Sequence, residues 1–135
     1  MNQEQLIQEA FKARLAAYAP YSQFKVGAVL LCKDGNLFRG CNVENASYGL
    51  CNCAERTALF NAVAAGYRPG DFQVMAVVGA TDEPIAPCGA CRQVMLELGG
   101  PELAVVLTNL KGDIKMTTAG AQLPDAFYLK PTDAQ

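Results

Sequence analysis

Three cysteines and one glutamate in two short stretches of the chain have the residue types and spacing of a metal site. Cys88 and Cys91 lie three residues apart in the stretch PCGACR, and Glu55 follows Cys53 in the stretch CAER. Both stretches lie where we predict a helix to begin, and residues three apart on a helix share a face. The positive end of a helix also favours thiolates. Three thiolates leave one position of a tetrahedral zinc ion open for water, which is the arrangement of catalytic zinc.

Glu55 and Arg56 could assist such a site without ligating the metal. Residues two apart on a regular helix point in different directions, so Glu55 can approach the metal only if Cys53 lies at the helix boundary in non-helical backbone. Three thiolates around a divalent cation carry a net negative charge, which opposes the formation of hydroxide. Arg56 could offset this charge by donating hydrogen bonds to the sulfurs. We therefore predict one zinc ion per chain on Cys53, Cys88 and Cys91, with Glu55 as the acid–base group beside a bound water.

The same cysteines leave two other interpretations open. A Cys-x-x-Cys pair can be a thioredoxin-like redox centre, but that chemistry does not need a third cysteine followed by a glutamate. A structural zinc site normally has four protein ligands. The chain has no histidine, so the fourth ligand would be Cys51, Cys41, Cys32 or a carboxylate. Cys32 and Cys41 lie in strand-like runs, where a cysteine is usually a small core residue, and Cys51 therefore remains the alternative ligand.

The composition of the chain is that of one globular domain that acts on a small molecule. The 135 residues are 51% hydrophobic and 18% charged, and the net charge of −2 gives no basic surface for a nucleic acid. No apolar run approaches the roughly 20 residues that span a bilayer, and the N-terminus lacks a secretory signal. We expect a cytoplasmic protein without a membrane or nucleic-acid partner, and six cysteines that are free thiols or metal ligands rather than disulfides. The domain is predicted over residues 1–128, followed by a poorly ordered tail over 129–135.

Helices and strands alternate along the chain around the cysteine stretches. Apolar spacing predicts a first helix over residues 3–18, capped by Asn2 and stopped by Pro20. Residues 24–31 and 37–43 flank a KDGN turn and form a predicted hairpin. The other predicted elements are helices over 53–65 and 88–98 and strands over 72–80, 103–108 and 114–117. This order favours a mixed sheet with helices covering it.

Five segments that span nearly the whole chain in order form a family pattern. They are FKVGAV at 24–29, GCNVENASYG at 40–49, NCAERTAL at 52–59, PCGACRQ at 87–93 and LPDAF at 123–127. Together they resemble the short-chain, homotetrameric, zinc-dependent cytidine deaminases. The signature of zinc nucleoside deaminases has His or Cys as its first ligand, and a chain without histidine corresponds to the three-cysteine version. The resemblance implies an α/β fold: a single-domain, three-layer α/β/α sandwich with a mixed five-stranded sheet.

The resemblance also implies a reaction. Cytidine and 2'-deoxycytidine would be hydrolytically deaminated to uridine and 2'-deoxyuridine with release of ammonia, as in pyrimidine salvage. Zinc-activated hydroxide would attack the ring while Glu55 shuttles protons. A deaminase of the blasticidin S type shares the zinc elements, but the NVENASY stretch at 42–48 favours cytidine. The alternative of a different class is a structural zinc protein without enzymatic activity.

Four residues of the substrate site follow from the same resemblance. Phe24 would pack against the pyrimidine ring, and the backbone of Ala54 would contact the base. The Asn42 amide and the Glu44 carboxylate would bind ribose hydroxyls. Residues two apart at the end of a strand point to the same face, which suits the recognition of adjacent hydroxyls. Without the resemblance, Phe24 would be a strand core residue, and Asn42 and Glu44 a polar turn.

Two aromatic residues are assigned to subunit contacts by the resemblance. Because the family is homotetrameric, Tyr48 and Phe127 would reach into the pocket of a neighbouring subunit, although either could also be an ordinary packing residue.

The chain departs from the family pattern at Cys51, where threonine is more common. This departure keeps the question of an alternative ligand open and does not bear on the reaction.

Overall fold

A central five-stranded sheet with helices on both faces makes up the part of the chain that the structure, a computed structural model, describes: residues 1–129. The strands are β1 (Val26–Cys32), β2 (Leu37–Cys41), β3 (Phe72–Gly79), β4 (Ala104–Asn109) and β5 (Ile114–Thr118), and the helices are α1 (Gln3–Arg14), α2 (Ala54–Ala64) and α3 (Gly89–Val94). Across the sheet the order is β2-β1-β3-β4-β5, with β3 and β4 parallel and all other neighbours antiparallel. The predicted mixed five-stranded sheet is confirmed.

The two faces of the sheet contribute to two separate hydrophobic cores. Every residue of β1 is buried, and side chains alternate between the faces along a strand. Ala28 and Leu30 pack in the core beneath α2, whereas Val29 packs with Leu6 and Ala10 of α1 on the opposite face. Because helices cover both faces, the three-layer α/β/α arrangement is also confirmed.

The first helix ends earlier than its apolar spacing predicts. The capping-box start at Asn2 is as expected, but α1 stops at Arg14 rather than at residue 18. Tyr18 is 59% exposed and lies in a short bridge, where its N–H donates to the Asn42 carbonyl at 2.9 Å and its carbonyl accepts from Glu44 N–H at 2.9 Å. The main chain at Tyr18 is thus needed for pairing and cannot be part of a helix.

The remaining elements follow the prediction closely, except that α3 is shorter than the predicted helix over 88–98. It continues as a π-helical turn over Met95–Gly99. Of the predicted tail over 129–135, only Leu129 lies within the described residues. Within residues 1–129, no helix combines the length and the apolar character that crossing a membrane requires.

A glycine in β2 allows α2 to lie directly against the sheet. A Cβ atom added to Gly40 would lie 2.2 Å from the Ala54 carbonyl oxygen and 2.5 Å from the Ala58 nitrogen. Real Cβ atoms do not approach backbone atoms so closely, so any larger residue would push the first turn of α2 away from the sheet. That turn begins directly after Cys53.

We predict that Gly40→Ala lowers the free energy of unfolding by about 3 kcal/mol, the upper range for overpacking a tight contact. Chemical denaturation measures this loss. Gly49→Ala is the matched control, because a Cβ at Gly49 meets nothing within 4 Å. Equal stability of the two variants would contradict the close contact between β2 and α2.

Candidate metal centre and active site

Three sulfur atoms converge where α2 and α3 begin. Cys53 and Cys88 are the residues immediately before the two helices and have extended backbone, with φ/ψ of −78/158° and −69/165°. Cys91 lies in the first turn of α3 and is fully buried. The three Sγ atoms lie within 4.8 Å of one another, and those of Cys53 and Cys88 are 3.8 Å apart. The boundary position predicted for Cys53 is therefore the one observed.

The arrangement of these sulfurs fits a zinc ion. A side chain at this position before a helix commonly caps the first turn, yet neither Cys53 nor Cys88 makes a capping hydrogen bond. Sulfurs about 2.3 Å from a tetrahedral zinc lie about 3.8 Å apart, which is the spacing of this pair. Thiolates are also ligands that zinc prefers. Because only three cysteines converge, one coordination position is left for a small molecule.

Cys51 does not belong to this cluster. Its sulfur accepts a hydrogen bond from Asn45 N–H at 3.2 Å and lies 3.4 Å from the Asn45 carbonyl oxygen. The side chain thereby fixes the loop that leads to α2. The four-cysteine structural site considered from the sequence does not form in this arrangement.

Arg56 provides positive charge at the sulfur cluster. Its Nη2 donates to the Cys53 sulfur at 3.4 Å, and its Nε is buried without a hydrogen-bond partner among the described residues. The Cys53 thiol accepts a hydrogen bond from Cys91 and another from Arg56, and both lower the pKa of Cys53. The same contact with Cys53 raises the pKa of Arg56, so the guanidinium stays charged. Cys53 is consequently prepared to lose its proton, whereas the hydrogen bond with Cys53 raises the pKa of Cys91. Binding of a cation would displace the remaining thiol protons.

Glu55 is a buried carboxyl group directly beside the cluster. Only 4% of the residue is exposed. Burial raises the pKa of Glu55 to about 7, and the nearby Cys53 thiolate contributes to this rise. A carboxyl group in this environment can both accept and donate a proton near neutral pH.

A cavity of about 330 Å³ opens onto Glu55 and two of the cysteines. Its lining comprises Ser22, Phe24, Val26, Asn42, Glu44, Cys53, Ala54, Glu55, Ile85, Ala86 and Cys88. The volume is at the lower end of the range for small-molecule sites. The structure therefore brings the four predicted substrate residues to the predicted acid–base group. Four further lining residues, Ser22, Val26, Ile85 and Ala86, were not predicted from the sequence. For the last two, the only signal was their position just before the PCGAC stretch.

Asn42 and Glu44 are held by the segment that carries Phe24. The Asn42 amide donates to the Phe24 carbonyl at 2.7 Å and accepts from Val26 N–H at 2.9 Å, so it fixes the main chain on both sides of residue 25. The Glu44 carboxylate accepts hydrogen bonds from Ser22, and these lower the pKa of Glu44. Both side chains thus shape the cavity as well as facing it.

Tyr48 and Phe127 do not line this cavity. Tyr48 is 73% exposed and borders a neighbouring depression with Glu44 and Cys51. Phe127 is 69% exposed, and its carbonyl accepts a hydrogen bond from the Gln93 side chain at 3.1 Å. Within one chain, the two aromatic rings remain outside the site.

Comparisons with known proteins agree with this geometry. Residues 1–107 match the family model for the cytidine and deoxycytidylate deaminase zinc-binding region. A cytidine deaminase of Halalkalibacterium halodurans is 57% identical over 127 residues, which is 94% of this chain and 95% of that protein. One from Sporosarcina psychrophila is 54% identical over 127 residues, covering 94% and 92% of the two chains. The crystal structure of cytidine deaminase from Burkholderia pseudomallei has a TM-score of 0.93 at 69% identity and covers 94% of this chain and 100% of that one. From the matched region, the overall identity and the shared structure together, it follows that this chain belongs to the cytidine and deoxycytidylate deaminase family.

Proposed function

We propose that the protein hydrolytically deaminates cytidine and 2'-deoxycytidine to uridine and 2'-deoxyuridine, releasing ammonia, in pyrimidine salvage. One observation carries the proposal: the buried Glu55 carboxyl group lines the same cavity as the sulfurs of Cys53 and Cys88. A proton-transfer group and a metal site thus border one space of suitable size for a small molecule. Relatives at 54% and 57% identity that are cytidine deaminases support this class of substrate.

The side chains of the site have separate tasks in this reaction. Cys53, Cys88 and Cys91 would hold the zinc, which supplies the Lewis acidity that makes a water nucleophilic at neutral pH. Glu55 takes a proton from the attacking water and delivers it to ring N3 as the water oxygen bonds to C4. Glu55 then takes the second proton from the oxygen now bonded to C4 and transfers it to the amino group. Cleavage of the C4–N bond releases ammonia, and that oxygen becomes the carbonyl oxygen of uridine. Arg56 neutralises part of the thiolate charge through its hydrogen bond to Cys53.

Four residues orient the substrate in the proposal. The Phe24 ring packs against the pyrimidine, and the main chain at Ala54 contacts its polar edge. Asn42 and Glu44 contact the sugar hydroxyls. All four line the cavity, and the main-chain bonds of Asn42 to the Phe24 segment keep the two halves of this surface together. Positioning of this kind lowers the barrier by holding the reacting atoms in place.

The protein is proposed to be a single domain over residues 1–128 in the cytoplasm. All strands and helices described here, and every residue that lines the cavity, lie within that range. The six cysteines are unpaired thiols, which supports a reducing compartment.

The function is tested by incubating wild type and Glu55→Gln with cytidine, 2'-deoxycytidine, cytosine and blasticidin S, and following the absorbance of the amino-pyrimidine. Wild type should convert the two cytosine nucleosides. Because acid–base catalysis contributes about 10²–10⁴-fold, Glu55→Gln should lose at least that factor in kcat while retaining zinc.

Glu102→Gln is the matched control for this substitution, because it makes the same chemical change at an exposed residue. This variant should remain fully active. Near-normal turnover by Glu55→Gln would contradict the role of Glu55. A zinc-loaded wild type that leaves every nucleoside unchanged would instead indicate a structural zinc protein, and conversion of blasticidin S alone would indicate the related antibiotic deaminases.

We predict that Cys91→Ala lowers the zinc content from about one ion per chain to well below half, because a thiolate ligand is lost. Elemental analysis of protein purified under reducing conditions measures this ratio. Cys41→Ala is the control, since Cys41 lies in β2 outside the sulfur cluster. A wild-type protein with less than about half an ion per chain would refute the site.

We further propose a homotetramer in which Tyr48 and Phe127 complete the cavity of a neighbouring subunit. The exposure of both rings, at 73% and 69%, supports this assignment. Light scattering should give a mass about four times that of the 14.4 kDa chain. If the tetramer forms, Phe127→Ala should raise KM for cytidine more than it lowers kcat. A monomeric protein with full activity would refute the proposal.

A further inference from the structure

We infer that Ser22 is a positioning residue of the nucleoside site: its hydroxyl group holds the Glu44 carboxylate ready to accept a hydrogen bond from the substrate's sugar. The inference rests on the proposed function, because it requires Glu44 to face a nucleoside. Ser22 belongs to the loop between α1 and β1 and lines the cavity together with Glu44.

Both oxygens of the Glu44 carboxylate are engaged by this loop. The N–H groups of Tyr21 and Ser22 each donate to Oε1 at 3.0 Å. The Ser22 hydroxyl group donates to Oε2. A carboxylate has about four acceptor positions, so these bonds leave about one position, which is on Oε2. The oxygen that can still accept a bond from a ligand is therefore the one that Ser22 holds.

The same hydroxyl group also connects Glu44 to the residue proposed to contact the base. Phe24 N–H donates to the Ser22 oxygen at 3.0 Å, which forms a tight turn of the type that serine stabilises. Gln23 between them has a φ of +57°, in the left-handed region, and its N–H donates to the Ala19 carbonyl at 2.9 Å. This backbone allows one hydroxyl group to donate to Glu44 and accept from Phe24. Phe24 is also held through its carbonyl by the Asn42 amide, so loss of the hydroxyl leaves Phe24 with that contact, whereas Oε2 of Glu44 loses the bond from Ser22.

The charge of Glu44 gives the contact a role in specificity. The hydrogen bond from the Ser22 hydroxyl group lowers the pKa of Glu44, which keeps the carboxylate ionised. An ionised carboxylate only accepts hydrogen bonds, so it selects ligands that present hydroxyl groups at this point. A sugar that lacks the 2' and 3' hydroxyls has nothing to donate from those two positions, and the orientation of Glu44 should then make little difference to its binding.

The chain contains a matched control for a test of this role. Ser22 and Ser47 are its two serines. Ser47 is exposed on the loop after Glu44 and makes no capping hydrogen bond with its side chain. Ser47→Ala therefore removes the same atom close to the site without removing a contact to the carboxylate.

The test compares wild type, Ser22→Ala, Ser22→Thr and Ser47→Ala in steady-state kinetics with cytidine and with 2',3'-dideoxycytidine, which lacks the 2' and 3' hydroxyls of the sugar and keeps only the 5' hydroxyl. A hydrogen bond to a charged group predicts that Ser22→Ala raises KM for cytidine about tenfold, with kcat changed by less than about twofold. Its kcat/KM for 2',3'-dideoxycytidine should stay within about twofold of wild type. Ser22→Thr keeps a hydroxyl group and should recover most of the loss, and Ser47→Ala should match wild type.

Two results would overturn the assignment of Ser22. One is an unchanged KM of Ser22→Ala for cytidine. The other is an equal loss of kcat/KM on both substrates, which would indicate general damage to the loop or to folding rather than a lost contact to the sugar. Failure of wild type to deaminate cytidine would overturn the proposed function itself, and this outcome is visible before any variant is compared.

Discussion

The site depends on one short pairing of main chains that joins its two halves. Val43 and Asn52 exchange N–H to carbonyl hydrogen bonds of 3.0 Å in both directions. Val43 lies between the two residues proposed to bind the sugar, and Asn52 directly precedes the first metal ligand. The Asn52 amide donates to the Thr57 hydroxyl at 3.0 Å, and that hydroxyl donates to the Cys53 carbonyl at 3.1 Å. The surface for the sugar and the first turn of α2 are thereby fixed to each other.

The buried carboxyl group and the clustered sulfurs of the site lower the stability of the fold rather than raise it. A carboxyl group that is 4% exposed loses much of its hydration, and three sulfurs at short range repel one another once they lose their protons. Two helix N-termini and the Arg56 guanidinium counter these costs with positive charge. The burial that makes Glu55 costly as a charged group is also what allows it to exchange protons near neutral pH. Active sites commonly sacrifice stability in this way.

The features that could be predicted from the sequence were those that depend on local patterns of residues. The spacing of Cys88 and Cys91, the boundary position of Cys53 and the order of helices and strands depend on near neighbours in the chain. The predicted end of α1 was wrong by four residues, because Tyr18 pairs with a segment more than twenty residues away. Apolar spacing contains no information about such a pairing. Ser22 was missed for the same reason: its partner Glu44 lies 22 residues further along.

The convergence of the sulfurs also has a topological consequence. Cys53 and Cys88 are 35 positions apart, so a metal ion bound by both closes a long loop that contains α2 and β3. In the chain-entropy model, a covalent cross-link over that span restricts the unfolded chain by about 4 kcal/mol, and a coordinated ion acts in the same sense. A chain without its ion would therefore lack both the Lewis acid that the reaction needs and this restraint on the unfolded state.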